Sequence, residues 1–283
     1  MKIIIWVMGI FICSSLLLYF YPDYAKQYSE ITRLNTNTNG KSFPKNFRIL
    51  NHKVTASAQF SEAELQRIVN NHPKMWIIDL REESHAFLNG DPISWYRFKN
   101  SLNKGKSKKE IRQDEIAKLK SLSKKPFAVL YKKKDRRPFF YRVQEVSSSE
   151  EMAHKYGANY KWFPTTDAHH PKDEIVDQFV TFIRELDPDA KLHFHCSAGR
   201  GRTTTFLAMY EMIKNANNEP LKKIIARQKS LGGVNLLKTA DKNKWKYEHV
   251  LQRRKFVKNF HQYCKENPDF ILSWSEWNKK NFE

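Results

Sequence analysis

One stretch constrains the rest of the chain: Lys191 to Tyr210, reading K-L-H-F-H-C-S-A-G-R-G-R-T-T-T-F-L-A-M-Y. Leu192 and Phe194 alternate with polar residues, the period of a short strand. Cys196 follows, and then a tight run, Ser197, Ala198, Gly199, Arg200, Gly201 and Arg202. The two glycines permit backbone conformations that a Cβ forbids. Thr203 opens a helical stripe of Phe206, Met209, Tyr210 and Ile213. A strand that passes through such a loop into a helix N-terminus aims its unpaired N–H groups at one point. The positive end of the helix dipole lies behind them, so the stretch is an anion cradle.

A cysteine at the mouth of that cradle gives it chemistry. A helix N-terminus and nearby arginines favour thiolate over thiol. Arg202, six residues after Cys196, has the planar fork that grips two oxygens of one phosphate. The Thr203 hydroxyl is placed to donate to the sulfur, and His195 to hold the loop through a ring N–H. The backbone of Ser197, Ala198, Gly199, Arg200 and Gly201 would line the cradle. C-x5-R alone is a weak signal in a basic chain, but H-C-x-x-G-x-x-R-T framed by strand and helix is far more specific. Residues 195–203 resemble the signature loop of cysteine-dependent phosphatases, the tyrosine and dual-specificity superfamily.

Thiolate attack on a phosphate ester needs an acid for the departing oxygen, placed opposite the sulfur on a loop. Asp167 fits: it lies 29 residues before Cys196 in a loop bracketed by Pro164 and Pro171, with one helical pattern between. On that reading it protonates the leaving group and then activates water against a phosphocysteine intermediate. An aspartate there is otherwise a turn former or helix cap. Glu82 or Glu83 would orient Arg202 by accepting its hydrogens. His169 and His170 lack a third ligand at usable spacing, so no metal is expected, nor any other cofactor.

The net charge of +20 over 283 residues points to polyanionic partners: nucleic acid, anionic lipid or a highly phosphorylated small molecule. No interleaved aromatic and basic RNA motif is present, which argues against nucleic acid. Residues 1–25 form a separate unit, with Lys2 before an apolar run from Ile3 to Phe20. The run is about long enough to span a bilayer. It reads as a signal peptide or membrane anchor, so the chain is expected to be exported, periplasmic or secreted, or held to a membrane through residues 3–20. Beyond it only Cys196 and Cys264 remain, and with Cys196 as nucleophile no structural disulfide is available.

Polar residues 26–42 read as a linker and 43–283 as the catalytic domain. Ser61 to Glu64 and Ser148 to Glu151 are capping boxes. Met75 to Leu80 suits a central parallel strand, followed by a charged loop from Arg81 to Gly90. Between Arg97 and Arg142 stand seventeen Lys or Arg against four acids. A helix over Lys109–Leu122 and a hairpin of Phe127–Tyr131 with Phe139–Val143 are expected there, with a basic tip. Helices are also expected from Ile175 to Leu186, from Pro220 to Lys229 and from Lys246 to Lys265, with the Trp274–Trp277 tail docking on the core.

A closer resemblance joins several stretches: Phe43-Pro44-Lys45-Asn46-Phe47-Arg48, Ser57 to Ser61, Asp79 to Gly90, Thr166 to Pro171, His195 to Phe206, and Arg227 to Gly233. Together they are similar to the bacterial PTP-like phytases, which act on inositol polyphosphates. The resemblance implies an α/β fold with a central, mostly parallel sheet flanked by helices, and a small partial β-barrel inserted at 97–146. It implies stepwise, metal-free dephosphorylation of inositol hexakisphosphate, with Cys196 as nucleophile, Arg202 on phosphate and Asp167 as acid. Arg48, Arg81 and one of Lys132, Lys133 and Lys134 would meet the outer phosphates. The family has His directly after the acid; this chain has Ala168, so either His169 compensates or the substrate preference differs. The alternatives are the same chemistry on phosphotyrosine or a phosphoinositide, and a polyanion-binding protein without catalysis.

Overall fold

The computed structural model describes residues 30–40, 42–70, 72, 74–132, 137–239 and 241–282. The expected signal or anchor at 1–25, and Lys133 and Lys134, lie outside the described residues. Two sheets and eight helices make up the described fold. The first sheet has the order β10-β4-β11-β3-β2. Its strands are β2 (Arg48–Asn51), β3 (Val54–Ser57), β4 (Trp76–Arg81), β10 (Asn159–Thr165) and β11 (Leu192–His195). All pairings are parallel except β2 with β3. The near-continuous apolar character of Trp76–Leu80 is what a strand covered on both faces needs.

On one face, α4 (Asp173–Glu185), α5 (Gly201–Asn215), α6 (Leu221–Ser230), α7 (Tyr247–Glu266) and α8 (Trp274–Phe282) close over the largest core. Phe163, Phe179, Phe194 and Phe206 pack edge to face or tilted within it. Cys264 is buried in the same cluster, and burial pushes its thiol pKa up, as befits a packing residue. On the other face, α1 (Glu62–Val69) and α3 (Ser149–Lys155) cover Phe60, Leu65, Ile77, Phe87 and Met152. Both helices begin with the expected capping boxes at Ser61 and Ser148.

The second sheet has the order β8-β7-β1-β6-β5-β9 and packs on α2 (Lys108–Ser123) through Leu88, Ile93, Leu122 and Leu130. Its strands are β1 (Ile31–Leu34), β5 (His85–Leu88), β6 (Asp91–Tyr96), β7 (Phe127–Tyr131), β8 (Pro138–Arg142) and β9 (Val146–Ser147). This corrects three expectations. The linker at 26–42 supplies β1, which pairs with both β6 and β7. The loop at 81–90 shrinks to a turn before β5, because Asn89 and Gly90 take positive φ and fold the β5–β6 hairpin. The 97–146 segment is therefore not a sheet of its own: it adds α2, β7, β8 and the approach to β9 to strands from elsewhere. Among the described residues β8 and β9 are the edges of this second sheet, and no helix there is long and apolar enough to cross a membrane.

The C-terminal tail docks as expected. Trp274 is buried against Phe256, Phe260, Tyr263 and Trp277, and its indole N–H donates to Asp173 at 2.7 Å. Trp274→Ala should lower unfolding free energy by about 3–5 kcal/mol, since it opens a large cavity and removes the hydrogen bond to Asp173. Urea unfolding checks this, and a loss below about 1 kcal/mol would mean that α8 is peripheral to the core.

Candidate active site

The central strand β11 delivers Cys196 to the carboxyl end of the parallel sheet, where α/β folds place their sites. The loop 196–200 then turns into α5, which starts at Gly201, two residues earlier than the sequence suggests. Gly199 sits at φ +66, and a Cβ there would meet the Ala58 nitrogen at 2.4 Å and the Ser57 carbonyl carbon at 2.5 Å. Only glycine fits, on conformation and on space alike.

The loop is held from outside by its carbonyls. The Asn37 side-chain amide donates to the Ser197 carbonyl at 2.7 Å, that of Asn46 to Ala198 at 2.8 Å, and Arg48 Nη1 to Gly199 at 2.7 Å. Because a trans peptide sets its N–H opposite its C=O, pulling three carbonyls outward turns the following amides toward the hollow. Sequence reasoning missed Asn35 and Asn37, placing them in a linker. Arg48 differs from expectation as well. It is buried behind the loop and also reaches Thr204 Oγ1 at 3.5 Å, so it braces the cradle instead of facing solvent. Burial brings its pKa down to about 10, which leaves it charged at neutral pH.

Within the cradle the Thr203 hydroxyl donates to Cys196 Sγ at 3.1 Å. Arg202 is buried and lies in a bidentate grip on Glu83, with Nη1 to Oε2 at 2.5 Å and Nη2 to Oε1 at 2.9 Å. Nη1 also donates to the Thr165 carbonyl at 3.0 Å, while Nε has no hydrogen-bond partner among the described residues. Of the two glutamates proposed to orient Arg202, Glu83 makes the contact. Glu82 stays apart, buried, with its pKa raised by that burial. Burial alone would raise Glu83 too, but the Arg202 and Arg81 guanidiniums hold it well below the carboxylate range.

Arg81 backs this pair. Its Nε donates to Glu83 at 3.0 Å, Nη1 to Gln59 at 2.7 Å and Nη2 to Ser94 at 2.6 Å. Its exposed area is about 1%, so it forms the floor of a hollow and is no free clamp for an outer phosphate. Behind it, Asp79 accepts from His85 at 2.7 Å and from the Tyr160 hydroxyl at 2.9 Å. Among the described residues His195 has no ring hydrogen-bond partner; it packs on Phe60 at 4.7 Å between centroids, and burial pushes its pKa down to about 4. It is a neutral packed ring, not the hydrogen-bonding holder expected.

Asp167 stands at the rim, Oδ1 3.6 Å from Arg202 Nη2, on a loop shortened because β10 runs on to Thr165. Ala168 follows at φ +70, and its N–H donates to Asp167 Oδ1 at 3.0 Å. His169 turns away, its ring tilted against that of His249 at 3.9 Å between centroids and its Nδ1 on the Asp167 carbonyl, so it lines neither hollow and does not replace the missing side chain of Ala168. Among the described residues no group of three or more His, Cys, Asp and Glu is placed to hold a metal ion.

Two hollows meet here. One of about 300 Å³ lies over Cys196, Arg200 and Arg202, with Arg253 on its wall. The other, of about 250 Å³, is lined by Arg33, Tyr96, Lys99 and Trp245, and both share Asp167, Ser197 and Lys246. Lys132 is not among the lining residues; its ammonium lies over Phe139. Beside Arg81, Arg200 and Arg202, the hollows are lined by Arg33, Lys99, Lys246 and Arg253, which carried no local motif in the sequence.

The model of the family PTPlike_phytase, described as inositol hexakisphosphate, matches residues 78–214. The PTP-like myo-inositol phosphatase from Mitsuokella multacida, solved with myo-inositol-(1,3,4,5)-tetrakisphosphate, superimposes with a TM-score of 0.84 at 33% identity, over 89% of this chain and 48% of that one. The chain belongs to the PTP-like phytase family. A PTP-like phytase from Bdellovibrio bacteriovorus matches with a TM-score of 0.77 at 28% identity, over 89% of this chain and 95% of that one. Effector protein hopD2 of Pseudomonas syringae pv. tomato is 32% identical over 214 residues, which is 72% of this chain and 46% of hopD2. The chain thus spans about half the length of hopD2 and of the Mitsuokella phosphatase. The α/β architecture expected from the sequence is that of the PTP-like phytases.

Two predictions come from this geometry. Gly199→Ala should reduce turnover on the order of a hundredfold by displacing the loop, with circular dichroism unchanged; near-normal rates would show that the loop tolerates the shift. Glu83→Gln should cost about 3–5 kcal/mol at pH 7, because it breaks a buried pair from one side. Glu83 has a depressed folded pKa, so its contribution is present above the unfolded value of about 4.3 and fades as pH falls through the folded one. Urea titrations of both proteins should therefore converge under acid, and a gap independent of pH would remove Glu83 from that role.

Proposed function

We propose that this chain is a cysteine-dependent phosphatase that hydrolyses phosphate monoesters of inositol polyphosphates. The observation that carries it is the grouping at one hollow: Cys196 Sγ under the Thr203 hydroxyl, Arg202 locked by Glu83, and Asp167 at the rim. In the proposed reaction the Cys196 thiolate attacks phosphorus as the ester P–O bond breaks, and Asp167 gives its proton to the departing alkoxide oxygen. Arg202 and the loop amides stabilise charge on the equatorial oxygens. Asp167 then takes a proton from water, whose oxygen attacks phosphorus as the S–P bond breaks, and Thr203 supports the leaving thiolate.

The substrate follows from the second hollow. A single phosphate would fill the cradle and leave Arg33 and Lys99 without use, whereas a ring bearing several phosphates engages them. The family's Mitsuokella member, solved with an inositol tetrakisphosphate, supports the same reading. Phosphotyrosine and phosphoinositide headgroups form the second reading, since the hollow over Cys196 and Arg202 would take their phosphate as well. The apolar run at residues 3–20 supports export, with the run either removed or retained as an anchor.

Phosphate release should be faster from inositol hexakisphosphate than from a phosphotyrosine peptide or a phosphoinositide. Cys196→Ser should abolish it, and activity surviving in that variant would refute the mechanism; a clear phosphopeptide preference would refute the substrate assignment. Asp167→Asn should slow alkyl phosphates by roughly 10²–10⁴-fold while sparing activated aryl phosphates, whose leaving groups need no proton. Equal loss on both would remove Asp167 as the acid.

A further inference from the structure

The β7–β8 hairpin at the edge of the second sheet has one covered and one open face. Ala128 and Leu130 point into the core, with Phe139 and Tyr141 packed against it. On the other face Phe127, Val129 and Phe140 are 54%, 46% and 79% exposed. The antiparallel register sets Val129 directly opposite Phe140 and Phe127 opposite Arg142, so the three form one flat patch. Exposed aromatic side chains grouped in this way mark an interaction surface. Around them Lys124, Lys125, Lys132, Arg137 and Arg142 are all exposed, and residues 124–132 and 137–144 include no acid.

We propose that this face docks on an anionic lipid surface, with Phe127, Val129 and Phe140 at the boundary of headgroups and acyl chains and the basic rim on lipid phosphates. An apolar centre ringed by one sign of charge is the pattern of interfacial membrane binding, in which buried apolar area and attraction to anionic lipid act together. The path of the chain selects a bilayer over a protein partner. β1 runs parallel to β7 with Arg33 opposite Tyr131, so the chain enters the sheet from the Phe127 end of β7. The apolar run Ile3–Phe20 precedes β1 by only the ten residues 21–30. At roughly 3.3–3.6 Å per residue, such a connection reaches about 35 Å at most, which keeps this face near any lipid that holds the run. The inference does not depend on the proposed phosphatase reaction.

The test uses the full chain with Phe140→Trp, read against the unmodified protein, whose seven tryptophans are common to both. On phosphatidylglycerol-containing vesicles the added tryptophan should shift to the blue and be quenched by brominated acyl chains. Salt should weaken the effect, and adding Lys125→Gln with Arg142→Gln should lower vesicle affinity roughly tenfold while thermal melting stays unchanged. No added quenching at position 140 overturns the proposal even where the protein floats with the vesicles, because another segment then holds it. Equal quenching on pure phosphatidylcholine also overturns it. So does a blue shift that grows with protein concentration in the absence of lipid, which would make the face a contact between copies of this chain.

Discussion

The site depends on one buried carboxylate holding one buried guanidinium. Glu83 takes both Nη atoms of Arg202, and Arg81 takes Glu83 from behind. A buried ion pair of this kind is no gift to stability, because desolvation offsets most of its attraction. What it supplies is orientation. With both Nη groups committed, the plane of Arg202 is fixed and its Nε–H is left for an oxyanion. The Arg81 contacts to Gln59 and Ser94 extend that constraint into both sheets, since Gln59 follows β3 and Ser94 lies on β6.

The two sheets therefore meet at the chemistry. The first delivers Cys196 just after β11 and Asp167 just after β10, both from parallel strands ending on the same side. The second delivers the wall that widens the site, through Arg33 on β1, Tyr96 on β6 and the turn at Lys99 and Asn100. Residues 35–37 join them physically, running from β1 straight onto the loop carbonyls. A chain with only the first sheet would retain the cradle and lose the cationic wall that the proposed polyanionic substrate would meet.

Local signals in the sequence were legible where one element decides its own fate. The strand–loop–helix at 191–210 could be read because alternation, paired glycines and a helical stripe each act within a few residues. The capping boxes at Ser61 and Ser148 were legible for the same reason. What could not be read was anything decided by a distant partner. Ile31–Leu34 looks like linker because its polar neighbours hide a strand that exists only by pairing with β6 and β7. Arg48 and Arg81 look like free cations until burial and their hydrogen bonds turn them into braces. The loop that carries Asp167 is shorter than its sequence suggests, because Trp162 and Thr165 pair with β4 across a register shift that includes Pro164. Proline is tolerated there since β10 is an edge strand of its sheet.

Charge placement completes the argument. Inside the site each buried arginine is tied to a fixed acceptor: Arg202 and Arg81 to Glu83, Arg48 to the Gly199 carbonyl. At the rim Lys99, Lys246 and Arg253 face the hollows, and Asp167 is the one acid that lines both. Paired cations hold geometry without attracting a distant ligand, because their fields are compensated; rim cations act over about a Debye length and draw polyanions in. Burial lowers the pKa of Arg253, against the pull of Asp167 and Cys196, and an anion bound in the hollow beside it would oppose that burial as they do. A ligand carrying several phosphates would restore that balance at several points together, whereas one carrying a single phosphate would restore it only at the cradle.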